Sequence, residues 1–547
     1  MSSREPSCPF SQAMKKPLGE LGSADPPISA SSPPGQLPAT QTSVTQPSVT
    51  QPSVTQLSAK QSASNSATAA PTAVSPVVAP PVTHGSLVEL SRDLLGGLRG
   101  LHAQHGPIAA FQDGDQRVLF LFDPEYNRQV LSDAQTFHAH FFALRGPKRS
   151  SQRRVTCGLL AMNGEQHKRN RRMVKEPFGP RAIEGYRQTI AELAADEVAT
   201  WHDGECVDFN ERMIRYMLKV TSRILFGLDE PALAYELGEQ IAHWVALNND
   251  FGVHALAPLE NFDAGYQELL SFAQELEANV LKLIHHRRDN PNPAANDVLS
   301  ILVGSLDAQG GLSDEELVGQ CCVLFAAAHM TTAHSFSWTA FLLAQHPSVM
   351  QTLWEAIHDG TADEPHPTGA PSLLERVIKE SMRVLPASAY SQRIAAEPVR
   401  VGPFEVQRGE PLVFTPLITH RLASLCDDPQ RFDPDRWVTL KPTAYQYHPF
   451  GAGPRRCIGG PLAMEVLRTS LPIFLRDWRL SVQPGARIDA EVKSTMLNPK
   501  RGVPMVFDRH PQTTGEGRFI ATAIEGNVAE LVDLIEVPAT NLPRKPR

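Results

Sequence analysis

Long apolar runs are missing from this chain. No uninterrupted stretch reaches the roughly 18–20 residues that a membrane-spanning helix needs. No basic start followed by an apolar core marks a secretory signal. Cysteines are few and scattered: seven in 547 residues, an odd number, with no C-x-x-C pair. That spacing fits a reducing compartment, the cytoplasm, better than a disulfide framework. Positive charge is not in excess either. Lys and Arg total 51 against 59 Asp and Glu, a net charge of −8, which argues against a nucleic-acid partner. What is present is apolar material, 41% of residues, enough for a large core.

Composition divides the chain. Residues 1–83 are rich in Ser, Thr, Pro, Gln and Ala, with a short repeat, TSVTQPSVTQPSVTQ, from Thr42 to Gln56. Such a segment cannot bury enough apolar surface to offset its ordering entropy. A disordered arm is expected there. Globular texture runs over residues 84–508. Residues 509–547 are a C-terminal extension whose role is not evident, and Ile520–Leu534 could form one amphipathic helix.

Within the globular part, a helical pattern covers Leu87–His105. Strand-like runs follow at Ile108–Phe111 and Val118–Phe122, the first expected at a sheet edge because of Pro107. The chain is then mostly helical to about residue 385. Strand-like runs return at Val399–Val406 and Pro411–Phe414. The longest helix candidate begins at Ser313, where Ser313 and Glu316 have capping-box spacing, and ends before Pro347. Its rise would be ~48 Å, enough to cross a domain.

Several residue groups could carry chemistry. Phe450-Gly451-Ala452-Gly453-Pro454-Arg455-Arg456-Cys457-Ile458-Gly459 places one cysteine in a glycine-rich loop before a helix-like stretch that starts at Pro461. Ala327-Ala328-His329-Met330-Thr331-Thr332 lies in the middle of the longest helix candidate. Glu380-Ser381-Met382-Arg383 brings opposite charges together at i,i+3, and Pro434-Asp435-Arg436-Trp437 lies downstream. His167 and Arg171 stand at i,i+4 on one helix face.

The cysteine loop resembles the haem-thiolate loop of the cytochrome P450 family, F-x-x-G-x-R-x-C-x-G, at every fixed position. The other groups occur in the order in which that family has them. The resemblance covers about residues 84–508. It implies a mainly α fold with a small β-rich region and haem between two long helices. It implies haem b (iron protoporphyrin IX) with Cys457 as the iron ligand, a strong electron donor in such sites. Phe450, Gly453, Arg455 and Gly459 would complete the cofactor loop, with Arg455 and the His167–Arg171 pair meeting haem propionates. Glu380, Arg383 and Arg436 would form a buried structural triad behind the haem. Thr331 and Thr332 match the threonines near bound dioxygen.

The resemblance further implies a monooxygenase that inserts one oxygen atom of dioxygen into a small lipophilic substrate. Electrons would come from NAD(P)H through a ferredoxin or flavodoxin-type partner, in a soluble, bacterial-type, cytoplasmic protein with no membrane span. Lys168, Arg169, Arg172 and Arg456 would offer positive charge to such a donor. By position, Phe141, Phe142, Phe325, Met330, Ala387, Tyr390 and Leu497 would line the substrate pocket. Two positions depart from the family's A-G-x-(D/E)-T-T: Ala328 replaces glycine and Met330 replaces the acid. Methionine cannot carry a proton. His329 and Thr331 do not share a helix face, so a structural histidine is expected at 329. The departure leaves open an isomerase, dehydratase or peroxide-driven enzyme on the same scaffold; the long tails at both ends leave open a non-catalytic haem protein.

Overall fold

A computed structural model describes residues 81–140, 144–227, 231–254, 262–292, 294–402, 404–509 and 519–534. Most of the expected N-terminal arm (residues 1–80), the end of the extension, and Phe141 and Phe142 lie outside the described residues.

The helix Asp314–Gln345 organises the rest. Ser313 caps it: Glu316 N–H donates to the Ser313 hydroxyl (3.2 Å) and Ser313 N–H to the Glu316 carboxylate (3.0 Å). The next helix starts at Pro347, as the missing proline N–H favours. Leu317–Phe325 and Thr332–Gln345 are buried without a gap, so along these stretches the helix is covered around its whole circumference. Helices Phe209–Phe226, Leu373–Val384 and Gly460–Arg476 pack around it. Together they hold the largest core cluster, with Trp338, Phe336 and Tyr216 fully covered.

Beside the helices lies a six-stranded sheet. Its order is Val82–His84, Ile108–Asp113, Gln116–Leu121, Pro411–Phe414, Ser391–Ala395 and Phe137–Ala139. Smaller sheets include the hairpin Ala490–Lys493 with Met496–Pro499.

Several expectations need correction. Ile108–Asp113 is not an edge strand, because Val82–His84 pairs with it in parallel. Pro107 lies just outside the strand, so no ladder N–H is lost. The same pairing moves the start of the domain before residue 84, into the end of the expected arm. The strand Pro504–Arg509 likewise runs one residue past the expected C-terminal boundary. The helix over Leu87–His105 divides at Asp93, whose carboxylate caps the second part at Gly96 N–H (3.0 Å). Val399–Val406 is a hairpin of two three-residue strands.

Ile520–Leu534 is not an amphipathic helix. Glu525 lies beside Arg487 in a β-bridge, and a short 3₁₀ turn covers Asn527–Glu530. Gly526 sits at φ 111°, with Ile488 O 2.1 Å from where a Cβ would stand. Neither a helix nor another residue fits there.

Candidate functional site

The cysteine loop is shaped by close backbone approach. Gly451 and Gly453 have φ of 65° and 68°. A Cβ on Gly453 would stand 2.0 Å from Leu131 O, so only glycine lets the loop pass. Cys457 N–H donates to Phe450 O at 2.8 Å. Phe450 packs on the main core, and a Cβ on Gly460 would press on its ring at 3.3 Å. The Cys457 thiol meets the N–H groups of Gly459 and Gly460, where the helix Gly460–Arg476 starts. Crowding by protein pushes this thiol above its usual range; the two N–H groups, Arg171 and Arg456 pull it back. Cys457 is nonetheless exposed, so the crowding acts from one side. N–H donors, a helix N-terminus and cations together favour a thiolate once a metal is bound.

A group of cations surrounds this loop. His167 is buried on the helix Gly164–Val174, and burial followed by Arg455, Arg171 and Arg393 pushes it down to about 4. Arg171 donates to Arg456 O (2.6 Å). Arg455 donates to Asn163 Oδ1 (2.5 Å) and to Met162 O, while its Nε is buried without a partner. Arg393, on the strand Ser391–Ala395, donates to Gln392 O (2.8 Å) and lies 5.3 Å from the Phe414 ring centre. Burial first, and then a neighbouring arginine, lowers both Arg393 and Arg455 to about 10. Among the described residues, Arg171, Arg393 and Arg455 have no carboxylate in ion-pair range. Buried cations need anions. Two carboxylates of one ligand, as on haem, fit this group.

Arg393 was not singled out from sequence. Its available signal was an arginine on the inward side of a short strand, sharing a buried face with Ala395. The positive surface expected for a donor is smaller than the sequence suggested. Arg169 is tied to Asp307 and Glu316, and Lys168 pairs with Glu165.

Past its first turn, the long helix loses its cover at its middle. Ala327 is exposed, and Ala326, Ala328, Met330 and Thr331 are half-buried. The Thr331 hydroxyl donates to Ala327 O (2.9 Å), which leaves its lone pairs free to accept. Thr332, the other expected catalytic threonine, is buried; one residue further on, it turns away from the opening. His329 is on the far side, its Nε2 2.9 Å from Ile214 O, a structural position. Phe325 is also directed away, stacked on Phe226 at 5.9 Å.

Glu380 and Arg383 are both fully buried and doubly bonded, at 2.9 Å each. Arg436 Nε adds 2.8 Å to the same carboxylate. The sequence missed two further donors, Trp437 Nε1 (2.9 Å) and Asp433 N–H (3.0 Å). Arg383 directs its remaining N–H groups to the carbonyls of His420, Pro429 and Arg431. The three charges meet at one carboxylate.

Comparison with known proteins gives the family and the fold. The family model described as Cytochrome P450 matches residues 76–505. Pentalenene oxygenase of Streptomyces avermitilis is 29% identical over 413 residues, covering 73% of this chain and 89% of that protein. Among solved structures, the cytochrome P450DA heme domain has a TM-score of 0.68 at 20% identity, covering 80% of this chain and 99% of that one. CYP175A1 from Thermus thermophilus has a TM-score of 0.61 at 24% identity, covering 78% and 99%. These structures share the fold: a mainly α body with small β sheets. With a cysteine loop fitted for a thiolate, cations fitted for a dianionic cofactor and a family match over most of its length, this chain belongs to the cytochrome P450 family.

Proposed function

We propose that the chain is a haem-thiolate monooxygenase acting on a small lipophilic substrate in the cytoplasm. The observation that carries the reading is the Cys457 loop, with the Gly459 and Gly460 N–H groups on its sulfur. In this reading Cys457 holds the iron of haem b within the loop Phe450–Gly459, and His167, Arg171, Arg393 and Arg455 hold its propionates. Bound there, iron protoporphyrin IX supplies the redox chemistry that activates dioxygen.

The chain's own residues do the rest. Glu380, Arg383 and Arg436 fix the framework behind the loop. Thr331, donating to Ala327 O, offers an oxygen that accepts and passes a proton at the opening. Half-buried apolar groups there, Ala328 and Met330, keep bulk water out. Electrons come from NAD(P)H through a ferredoxin or flavodoxin-type partner, which meets Arg172 and Arg456 rather than the paired Lys168 and Arg169. The name of the Streptomyces relative, an oxygenase, supports the reaction class.

Met330 favours one second reading. It stands at the opening where the family has an acid, and an isomerase, dehydratase or peroxide-driven enzyme needs no acid there. The test uses the haem-loaded chain with NADPH, a surrogate ferredoxin and its reductase, and a ligand found by its effect on the ferric spectrum. The monooxygenase reading expects oxygen uptake coupled to product. Thr331→Ala should raise the fraction of reductant lost as peroxide, and Met330→Glu should lower it. Product formed without NADPH-dependent oxygen uptake would support the second reading and overturn the first.

A further inference from the structure

The buried Glu380–Arg383 pair and the cysteine loop are joined through one imidazole. His420 closes the short helix Pro416–Thr419, where its N–H donates to Pro416 O at 3.0 Å. Arg383 donates to its carbonyl at 3.2 Å. Its ring is fully buried and lies against the rings of Tyr447 and His448, with 5.0 and 5.1 Å between ring centres. Nε2 of that ring accepts the His448 N–H at 2.9 Å. His448 O in turn accepts the Gly451 N–H at 2.9 Å, at the turn where Gly451 stands at φ 65°. From there the loop runs on to Cys457.

A backbone N–H can only donate. Nε2 must therefore be bare and the ring neutral, with its proton on Nδ1. Burial first, and then His448, Arg383 and Arg421, pushes His420 well below the ordinary histidine range, which keeps the ring neutral. Met382 O is near Nδ1 but makes no well-formed hydrogen bond there. The His448 N–H is itself buried. Without the imidazole it would have no acceptor, and an orphaned buried donor costs more than an ordinary bond contributes. Further along, the loop is held by Arg171 on Arg456 O and by Arg455 on Asn163. On its entry side, Tyr447 adds one outer tie, its hydroxyl donating to Lys379 O at 2.9 Å.

We propose that His420 is a positioning residue for the iron ligand: by accepting the His448 N–H it fastens the entry of the cysteine loop to the buried charges, and so sets where the Cys457 sulfur meets the Gly459 and Gly460 N–H groups. The inference rests on the haem-thiolate reading and adds to it a residue that acts through the loop.

The test uses the haem-loaded full chain and its His420→Leu, His420→Gln, His420→Asn and Tyr447→Phe variants. The reduced carbon monoxide complex is followed at one temperature. The rate at which its thiolate-type Soret band gives way to the band of a neutral ligand is compared with haem content and far-ultraviolet circular dichroism. His420→Leu removes the acceptor and should speed the change about tenfold or more, with haem still bound and the helix signal unchanged. His420→Gln places an oxygen near the position of Nε2 and should recover most of the loss. His420→Asn, polar but too short to reach the His448 N–H, should not. If His420→Leu takes up no haem, the difference between the Gln and Asn variants decides the matter. Tyr447→Phe removes only the outer tie and should change the rate far less than His420→Asn. A natural rate in the Leu or Asn variant, equal rates in Gln and Asn, Tyr447→Phe as fast as His420→Asn, or a band lost only as haem leaves or the helix signal falls would overturn the proposal. A natural chain that never shows the thiolate-type band would fail the haem-thiolate reading instead.

Discussion

Glu380 holds a formal charge where no solvent reaches, and its surroundings make that tolerable. Arg383 gives two bonds, Arg436 one, Trp437 one and the Asp433 N–H one. Trp437 adds a donor that a phenylalanine there would lack. Trp437→Phe should therefore cost about 1.5–3 kcal/mol, the worth of a bond to a charged group, with haem spectra unchanged. Glu380→Ala strands two arginines and should cost about 3–5 kcal/mol, giving protein with little haem. Thermal melting and haem content check both. Full haem occupancy and an unchanged melting temperature in Glu380→Ala would show that the triad does not support the site. At this scale the sequence was most legible where a residue type is demanded by chemistry. Cys457 among glycines and the Glu380–Arg383 pair could be read directly. Arg393 could not, because its partners come from a distant helix and loop and nothing local marks it. Thr332 was read as functional by adjacency, and helix geometry turns it away.

Among the elements, the long helix was legible at both ends because its signals are local: a capping box at Ser313 and Pro347 after its last residue. The segment 519–534 was not, because an apolar pattern at helical spacing there serves an irregular strap. Asn527 exchanges three hydrogen bonds with Asp489 and Ala490. Leu531 O accepts from Arg421, a buried guanidinium that burial lowers to about 9 and that also bonds to Leu417 O and Val384 O. Val384 ends the helix that carries Glu380 and Arg383. Val528, Leu531 and Val532 are buried, worth roughly 1.5–3 kcal/mol each. Deleting residues 510–547 should lower the melting temperature by several degrees and speed haem loss to apomyoglobin. Unchanged values on both counts would mean that the strap only rests on the domain.

The molecule as a whole was legible as a class before its parts were. Helical texture to about residue 385, together with the family resemblance of the cysteine loop, pointed to a mainly α domain. Among the described residues no helix is long and apolar enough to cross a membrane. The small sheets were less legible, since their pairings join strands hundreds of residues apart, as Gln116–Leu121 does with Pro411–Phe414. Everything proposed for this chain depends on one bond, from the Cys457 sulfur to haem iron. The most direct measurement is the absorption spectrum of the reduced carbon monoxide complex, taken on the natural chain and on Cys457→Ala. The natural chain should show the red-shifted Soret band of a thiolate ligand, and Cys457→Ala should lose it. A natural chain without that band, or a variant that keeps it, would contradict the assignment of Cys457.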